Sequence, residues 1–169
     1  MYKKAEIIYD VTFFFANRFL GKGDRTVDQM IQAARSGKQN IAEGSEAATT
    51  SRETEIKLTN VAKASLEELL IDYTDYLRVR NLQCWCKGHP RYDSMRAYAA
   101  SDKISTEYPE LIRRLSDEEI ANLAITLIQQ ATYMLRHLIE RQQQQFVSKG
   151  GIREQMTRAR LDYRNKLKR

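Results

Sequence analysis

Proline occurs twice and glycine seven times in 169 residues, so little interrupts the chain and long helices are favoured. Cysteine also occurs only twice. Cys84 and Cys86 are separated by one residue, too close to bridge readily to each other, and so few thiols point to a reducing compartment. No stretch is long and apolar enough to span a membrane. At the N-terminus, Lys3-Lys4 ahead of Ile7-Ile8 and Phe13-Phe14-Phe15 mimics a signal peptide, but Glu6 and Asp10 interrupt the apolar run and no small-residue cleavage site follows. A cytoplasmic protein is expected. The chain lacks a GxxxxGK[ST] phosphate loop, an HExxH pair and a GxSxG elbow. The acidic runs Glu67-Glu68 and Asp117-Glu118-Glu119 lack the His partner used in di-metal bundle sites. No catalytic residue, no enzymatic activity and no cofactor is therefore expected.

What the chain does have is helical periodicity. Ile7, Ile8, Val11, Phe14, Phe15 and Phe19 recur at helical spacing and predict a first helix over residues 3–20, stopped by Gly21-Lys22-Gly23. A second begins at Asp24 or Thr26, either a suitable N-cap, and carries Val27, Met30, Ile31, Ala34 and Ile41 on its apolar face. Thr50-x-x-Glu53 reads as a capping box opening a third helix. Leu58, Val61, Ala62, Leu66, Leu69, Leu70, Tyr73 and Leu77 form that helix's stripe. Ser116-x-x-Glu119 is a second capping box, followed by the stripe Ile120, Leu123, Ala124, Leu127, Ala131, Met134, Leu135 and Leu138. Each amphipathic helix must bury its stripe against others. The expected fold is all-α: an antiparallel up-and-down four-helix bundle over residues 1–145, with a basic C-terminal helical extension over 146–169. The connection over 81–115 is much longer than usual between bundle helices. It holds Pro90 and Pro109, and Tyr92 to Ala100 reads as a short helix within it. Ile152 to Lys168 reads as a fifth, basic helix with Ile152, Met156, Ala159 and Tyr163 on one side.

The stretch Gln29 to Gly44 is read as a helix ending in Asn40-Ile41-Ala42-Glu43-Gly44. Ala33, Ala34 and Ala42 allow close helix approach, Asn40 has a donor and an acceptor with which to tie two helices, and Gly44 is able to turn the chain out at positive φ. Gln29, Ala33, Ala34, Ser36 and Asn40 to Gly44 resemble the signature of the bacterial 23S ribosomal RNA intervening-sequence protein family. Val61-Ala62-Lys63-Ala64-Ser65-Leu66-Glu67-Glu68-Leu69 is similar to a further stretch of that family. His89-Pro90, Leu127-Ile128-x-Gln130-Ala131-x-Tyr133-x-Leu135, Phe146, Gly150-Gly151 and Arg158-Ala159-Arg160 resemble its suffix-domain subgroup. The resemblance implies a four-helix bundle that assembles as a homo-oligomeric ring, usually a pentamer. It includes the accessory protein of diversity-generating retroelements, which binds RNA and a reverse transcriptase. Two departures stand out: Gly37-Lys38 replaces a usual Ile-Pro pair, and Ile31-Gln32 a usual basic pair.

The net charge of +6 is unevenly spread. Residues 1–77 hold 10 basic against 12 acidic side chains, and residues 99–145 hold five against seven. Residues 78–98 hold five basic residues against Asp93 alone, and residues 146–169 hold eight against two. Positive charge concentrated in two segments attracts an anionic polymer. In the first segment Arg78, Arg80, Lys87, Arg91 and Arg96 are interleaved with Tyr73, Tyr76, Trp85, Tyr92 and Tyr98, and rings able to stack on bases beside cations able to meet phosphates suit a single strand. In the second, Arg153, Arg158, Arg160, Arg164 and Lys166 are the candidate phosphate contacts. The bland alternative is that the tyrosines and Trp85 close the core while the basic side chains are solvated.

Cys84-Trp85-Cys86-x-x-His89 is the one cluster with metal-ligand chemistry. It supplies three donors where a structural zinc needs four, and His137 is the only other histidine, so no metal is expected. The functional expectation is a non-enzymatic, ring-forming protein that binds nucleic acid, RNA in particular. The alternative is a homo-oligomeric scaffold whose tail helix docks on a protein.

Overall fold

The structure is a computed structural model and describes residues 1–167. Seven helices follow one another among these residues, with no strand: α1 (Tyr2–Phe19), α2 (Arg25–Ala47), α3 (Arg52–Val79), α4 (Tyr92–Ala100), α5 (Ile104–Leu111), α6 (Asp117–Lys149) and α7 (Ile152–Leu167). None of them is long and apolar enough to cross a membrane.

The four long helices share one core. α1 packs on α2, α2 on α3, α3 on α6 and α6 back on α1. Their stripes supply the interior: Ile8, Val11 and Phe15 from α1, Met30 and Ala34 from α2, Leu66, Leu69 and Tyr73 from α3, and Ile120, Leu127 and Leu135 from α6. Phe15 sits 5.0 Å from Tyr73 and 4.7 Å from Tyr76, ring centre to ring centre. The buried Tyr73 hydroxyl donates to Thr12 Oγ1 at 3.0 Å, so its polar tip is satisfied inside the core. Both tyrosines thus close the core, as the bland reading of the aromatic-basic segment holds.

Helix starts follow side-chain capping. Asp24 accepts from Thr26 N at 2.9 Å and opens α2. The cap of α3 is Ser51, which accepts from Thr54 N at 3.2 Å, one residue beyond the expected Thr50. Both Thr50 and Ser51 are acceptable caps, and the turn after Ala47 decides between them: Thr50 N and Ser51 N both bond back to Ala47 O. The Ser116 capping box is fully formed, with Glu119 N donating to Ser116 Oγ at 3.2 Å and Ser116 N donating to Glu119 Oε2 at 3.0 Å. Ser116→Ala should cost about 1 kcal/mol. Thermal unfolding should show this as a fall of about 2–4 °C in Tm.

Three expectations need correction. Gly44 does not end α2, which runs on to Ala47, and Gly44 is a buried helical residue without positive φ. The reason is packing: Gly44 lies against Leu58 and Thr59 of α3, where continued helix keeps contact that a turn would lose. The long connection holds a second helix, α5, with Pro109 inside it. Pro109 forfeits one hydrogen bond, and the burial of Ile104 and Ile112 together with a Tyr108 hydroxyl bond to Asp10 of α1 favours the turn regardless. Finally, no boundary falls at 145/146, because α6 continues unbroken to Lys149. The break comes at Gly150, whose φ of 72° is left-handed.

Candidate nucleic-acid interface

Of the motif Asn40 to Gly44, only Ile41 and Gly44 are buried. Asn40 Nδ2 donates to Ser36 O at 2.9 Å and to Ser36 Oγ at 3.2 Å, within its own helix. The tie between helices is made by Ser36 Oγ and Ser65 Oγ, 2.9 Å apart. Ile41 is buried and Glu43 is exposed, while Ala42 is half-buried. Ala33 and Ala34 are buried within the single chain, so their small size serves packing here and leaves no close-approach face for a neighbour.

The first basic segment lies where α3 ends and α6 begins. Asn81, at φ 55°, ends α3, and the following loop is pinned to the first turns of α6. Trp85 N donates to Asn122 Oδ1 at 2.7 Å, and Asn122 Nδ2 donates to Gln83 O at 2.8 Å. Glu118 accepts from Gln83 N at 3.0 Å and from the Trp85 indole at 3.1 Å. Trp85 is therefore buried and unavailable for stacking on a base from the loop side. His89 stacks on it at 5.2 Å, and Arg91 lies 4.9 Å from its ring centre.

Two of the five cations of this segment are answered by carboxylates and two lie over aromatic rings. Arg78 pairs with Asp75 at 2.8 Å and Arg91 with Glu119 at 3.0 Å. Arg80 lies 3.9 Å over the Tyr76 ring and Arg96 lies 5.4 Å over Tyr92, while Lys87 is exposed. The Tyr76 hydroxyl donates to Asp117 Oδ2 at 2.9 Å, and burial first, then this carboxylate, pushes its pKa up to about 12. Five basic side chains here thus share their surroundings with Asp75, Asp93, Asp117, Glu118 and Glu119. The excess read along the sequence is reduced once α6, with Asp117, Glu118 and Glu119 in its first turn, is folded against the loop. In that first turn these acids also complement the helix dipole. Asn122, missed as a functional anchor, is a polar residue inside the apolar stripe Ile120, Leu123 and Ala124, and that interruption was its only signal.

The second basic segment is different. Arg153, Arg158, Arg160, Arg164 and Lys166 are all exposed on α7, and α7 takes no part in the helix packing above. None of the five forms an ion pair among the described residues. Glu154, one of two acids on α7, is spent capping the helix by accepting from Gly151 N at 3.0 Å. Met156, Leu161 and Tyr163 are exposed on the same helix. Lys168, the expected end of this helix, lies outside the described residues.

The two segments do not form one face within a chain. They sit at opposite ends of the 33-residue α6, separated by about 50 Å at 1.5 Å per residue.

Among the described residues, no group of three or more His, Cys, Asp or Glu side chains is placed to hold a metal. Cys84 and Cys86 are both exposed free thiols, and burial, then the neighbouring Cys86, pushes the Cys84 thiol up. Both His89 ring nitrogens are engaged: Nδ1 accepts from Arg91 N at 3.2 Å, and Nε2 lies 3.3 Å from Gln83 Oε1. No family model matches the chain, and neither a curated protein nor a solved structure is significantly similar to it.

Proposed function

We propose that this chain is a non-enzymatic RNA-binding protein, built as an antiparallel up-and-down four-helix bundle and assembled as a homo-oligomeric ring. The closed sequence of contacts α1–α2–α3–α6–α1 supports the bundle. The resemblance to the intervening-sequence family supports the ring, with five subunits the favoured count, and a cytoplasmic setting. Nucleic-acid binding rests chiefly on one observation: α7 presents five exposed basic side chains without an ion-pair partner among the described residues. Cations free of protein carboxylates release phosphate counterions most effectively, so α7 is the principal contact and the Arg78–Arg96 segment a minor one. A ring multiplies this modest site through avidity.

The scaffold reading is favoured by a separate observation, the exposed Met156, Leu161 and Tyr163 on α7. Phosphate contacts have no use for these apolar groups, whereas a protein partner, a reverse transcriptase among them, does. Fluorescence anisotropy with a labelled single-stranded RNA, at low and near-physiological salt, separates the two. The RNA reading expects saturable binding that weakens steeply with salt. Absence of binding at low salt removes it in favour of the scaffold. Light scattering tests the ring, and a monomeric mass at micromolar concentration would exclude it.

A further inference from the structure

At the end of the core where α7 emerges, the helices leave a cavity of about 210 Å³. It lies between the C-terminal half of α2, the start of α3 and the last packed turns of α6, with Ile41, Gly44, Leu135 and Leu138 among its walls. That volume equals about seven water molecules' share of the liquid. Three of the polar side chains that line it are more than nine-tenths buried, Glu55, Thr59 and Gln142, while Tyr2 and Ser45 stand at its exposed mouth.

Their hydrogens are fully committed to one another. Gln142 Nε2 donates to Glu55 Oε1 at 2.9 Å and to Thr59 Oγ1 at 3.2 Å. The Thr59 hydroxyl donates to Glu55 O at 2.8 Å. What remains is acceptor capacity: Gln142 Oε1 is buried with no donor, and the Glu55 carboxylate has lone pairs to spare. Reversing the Gln142 amide does not cure this, because it would set an oxygen against Glu55 Oε1. Glu55 Oε2 meets its one cation, Arg52 Nη1, at 2.9 Å, and the Arg52 side chain is 31% exposed. A partly open site with apolar walls, surplus acceptors and a replaceable cation calls for a donor-only, positively charged head on a small apolar body.

We propose that this cavity binds a compact primary amine. Its ammonium donates to Gln142 Oε1 and to Glu55 in place of Arg52, and its aliphatic stem lies on Ile41, Leu135 and Leu138. The inference uses no residue of α7 and stands or falls independently of RNA binding. Motif residues Ile41 and Gly44 gain a role in it, as walls of the site.

The test is calorimetric titration and thermal unfolding of the full chain with n-butylamine at neutral pH, against n-butanol as the uncharged probe of similar size. Saturable binding and a raised Tm are expected with the amine and not with the alcohol. Gln142→Leu should weaken amine binding by about tenfold, the loss expected for one charge-assisted hydrogen bond. Ala48→Phe fills the rim without touching the polar cluster and should abolish binding while circular dichroism stays unchanged. Arg52→Ala should raise amine affinity and enlarge the Tm gain, because Glu55 then lacks its cation. An equal response to alcohol and amine, no saturable binding to either the unmodified chain or Arg52→Ala, or binding indifferent to Ala48→Phe would each overturn the proposal.

Discussion

Replacing Arg153, Arg158, Arg160, Arg164 and Lys166 together by Gln should lower affinity for single-stranded RNA by on the order of a thousandfold at 0.1 M salt. The estimate follows from counterion release, about 0.7 ion per phosphate neutralised on a single strand, so five contacts contribute a log–log salt slope of about −3.5. The same variant should therefore bind with a nearly flat salt dependence. Gln matches Arg and Lys closely in helix propensity, and all five side chains are exposed, so the fold and its Tm should be unchanged. The contrasting variant is Arg78→Gln with Arg91→Gln. Those cations already face Asp75 and Glu119, and their removal should change affinity by no more than about threefold. Anisotropy titrations of both variants at two salt concentrations read this directly. A quintuple variant that keeps the full salt slope would place the phosphate contacts elsewhere.

Gly37→Val should lower stability by about 3 kcal/mol, or roughly 6–12 °C in Tm. A Cβ at this position would stand 2.7 Å from Leu66 Cδ2 and 2.9 Å from Leu66 Cγ, and Leu66 is fully buried with nowhere to retreat. Relief from glycine's backbone entropy offsets only about 1 kcal/mol of this overpacking. Gly44, two turns along the same helix, should behave in the opposite way. There the nearest atoms to a new Cβ, Leu58 Cβ and Thr59 Oγ1, are 3.5 Å away, which is ordinary contact. Gly44→Ala should be neutral or stabilising by up to about 1 kcal/mol. Chemical denaturation of the two variants tests the pair, and destabilisation by Gly44→Ala would show that the motif glycine serves something other than packing.

Local signals carried the fold a long way. The spacing of Ile8, Val11 and Phe15, the Ser116 capping box and the short helix from Tyr92 to Ala100 are all decided by residues within a few positions of one another. Gly44 and α5 were misread because their outcome depends on partners far along the chain: Leu58 and Thr59 beside Gly44, and Asp10 beside Tyr108. The same holds for the candidate interface. The positions of Arg78 and Arg91 were legible, but Arg91 is answered by Glu119, from the far side of the long connection. The buried Glu55–Gln142 pair is separated by 87 residues of the 169 and leaves no local pattern at all. Charge on α7 was legible because its basic side chains stay exposed among the described residues.

The unbroken course of α6 gives the molecule a direction. Its first turn holds a loop in which Arg91 is paired with Glu119, and its last turn hands on to a helix whose five basic side chains form no ion pair among the described residues. Cyclic symmetry places equivalent points of every subunit at the same height. Under the proposed assembly, a ring with its axis along α6 would therefore have two unlike rims, one carrying the mixed charges of the loop and one the exposed cations of α7. Such a particle would meet a polyanion chiefly from the α7 side. Its opposite rim would be left to a second partner, and the length of α6 would set the distance between them.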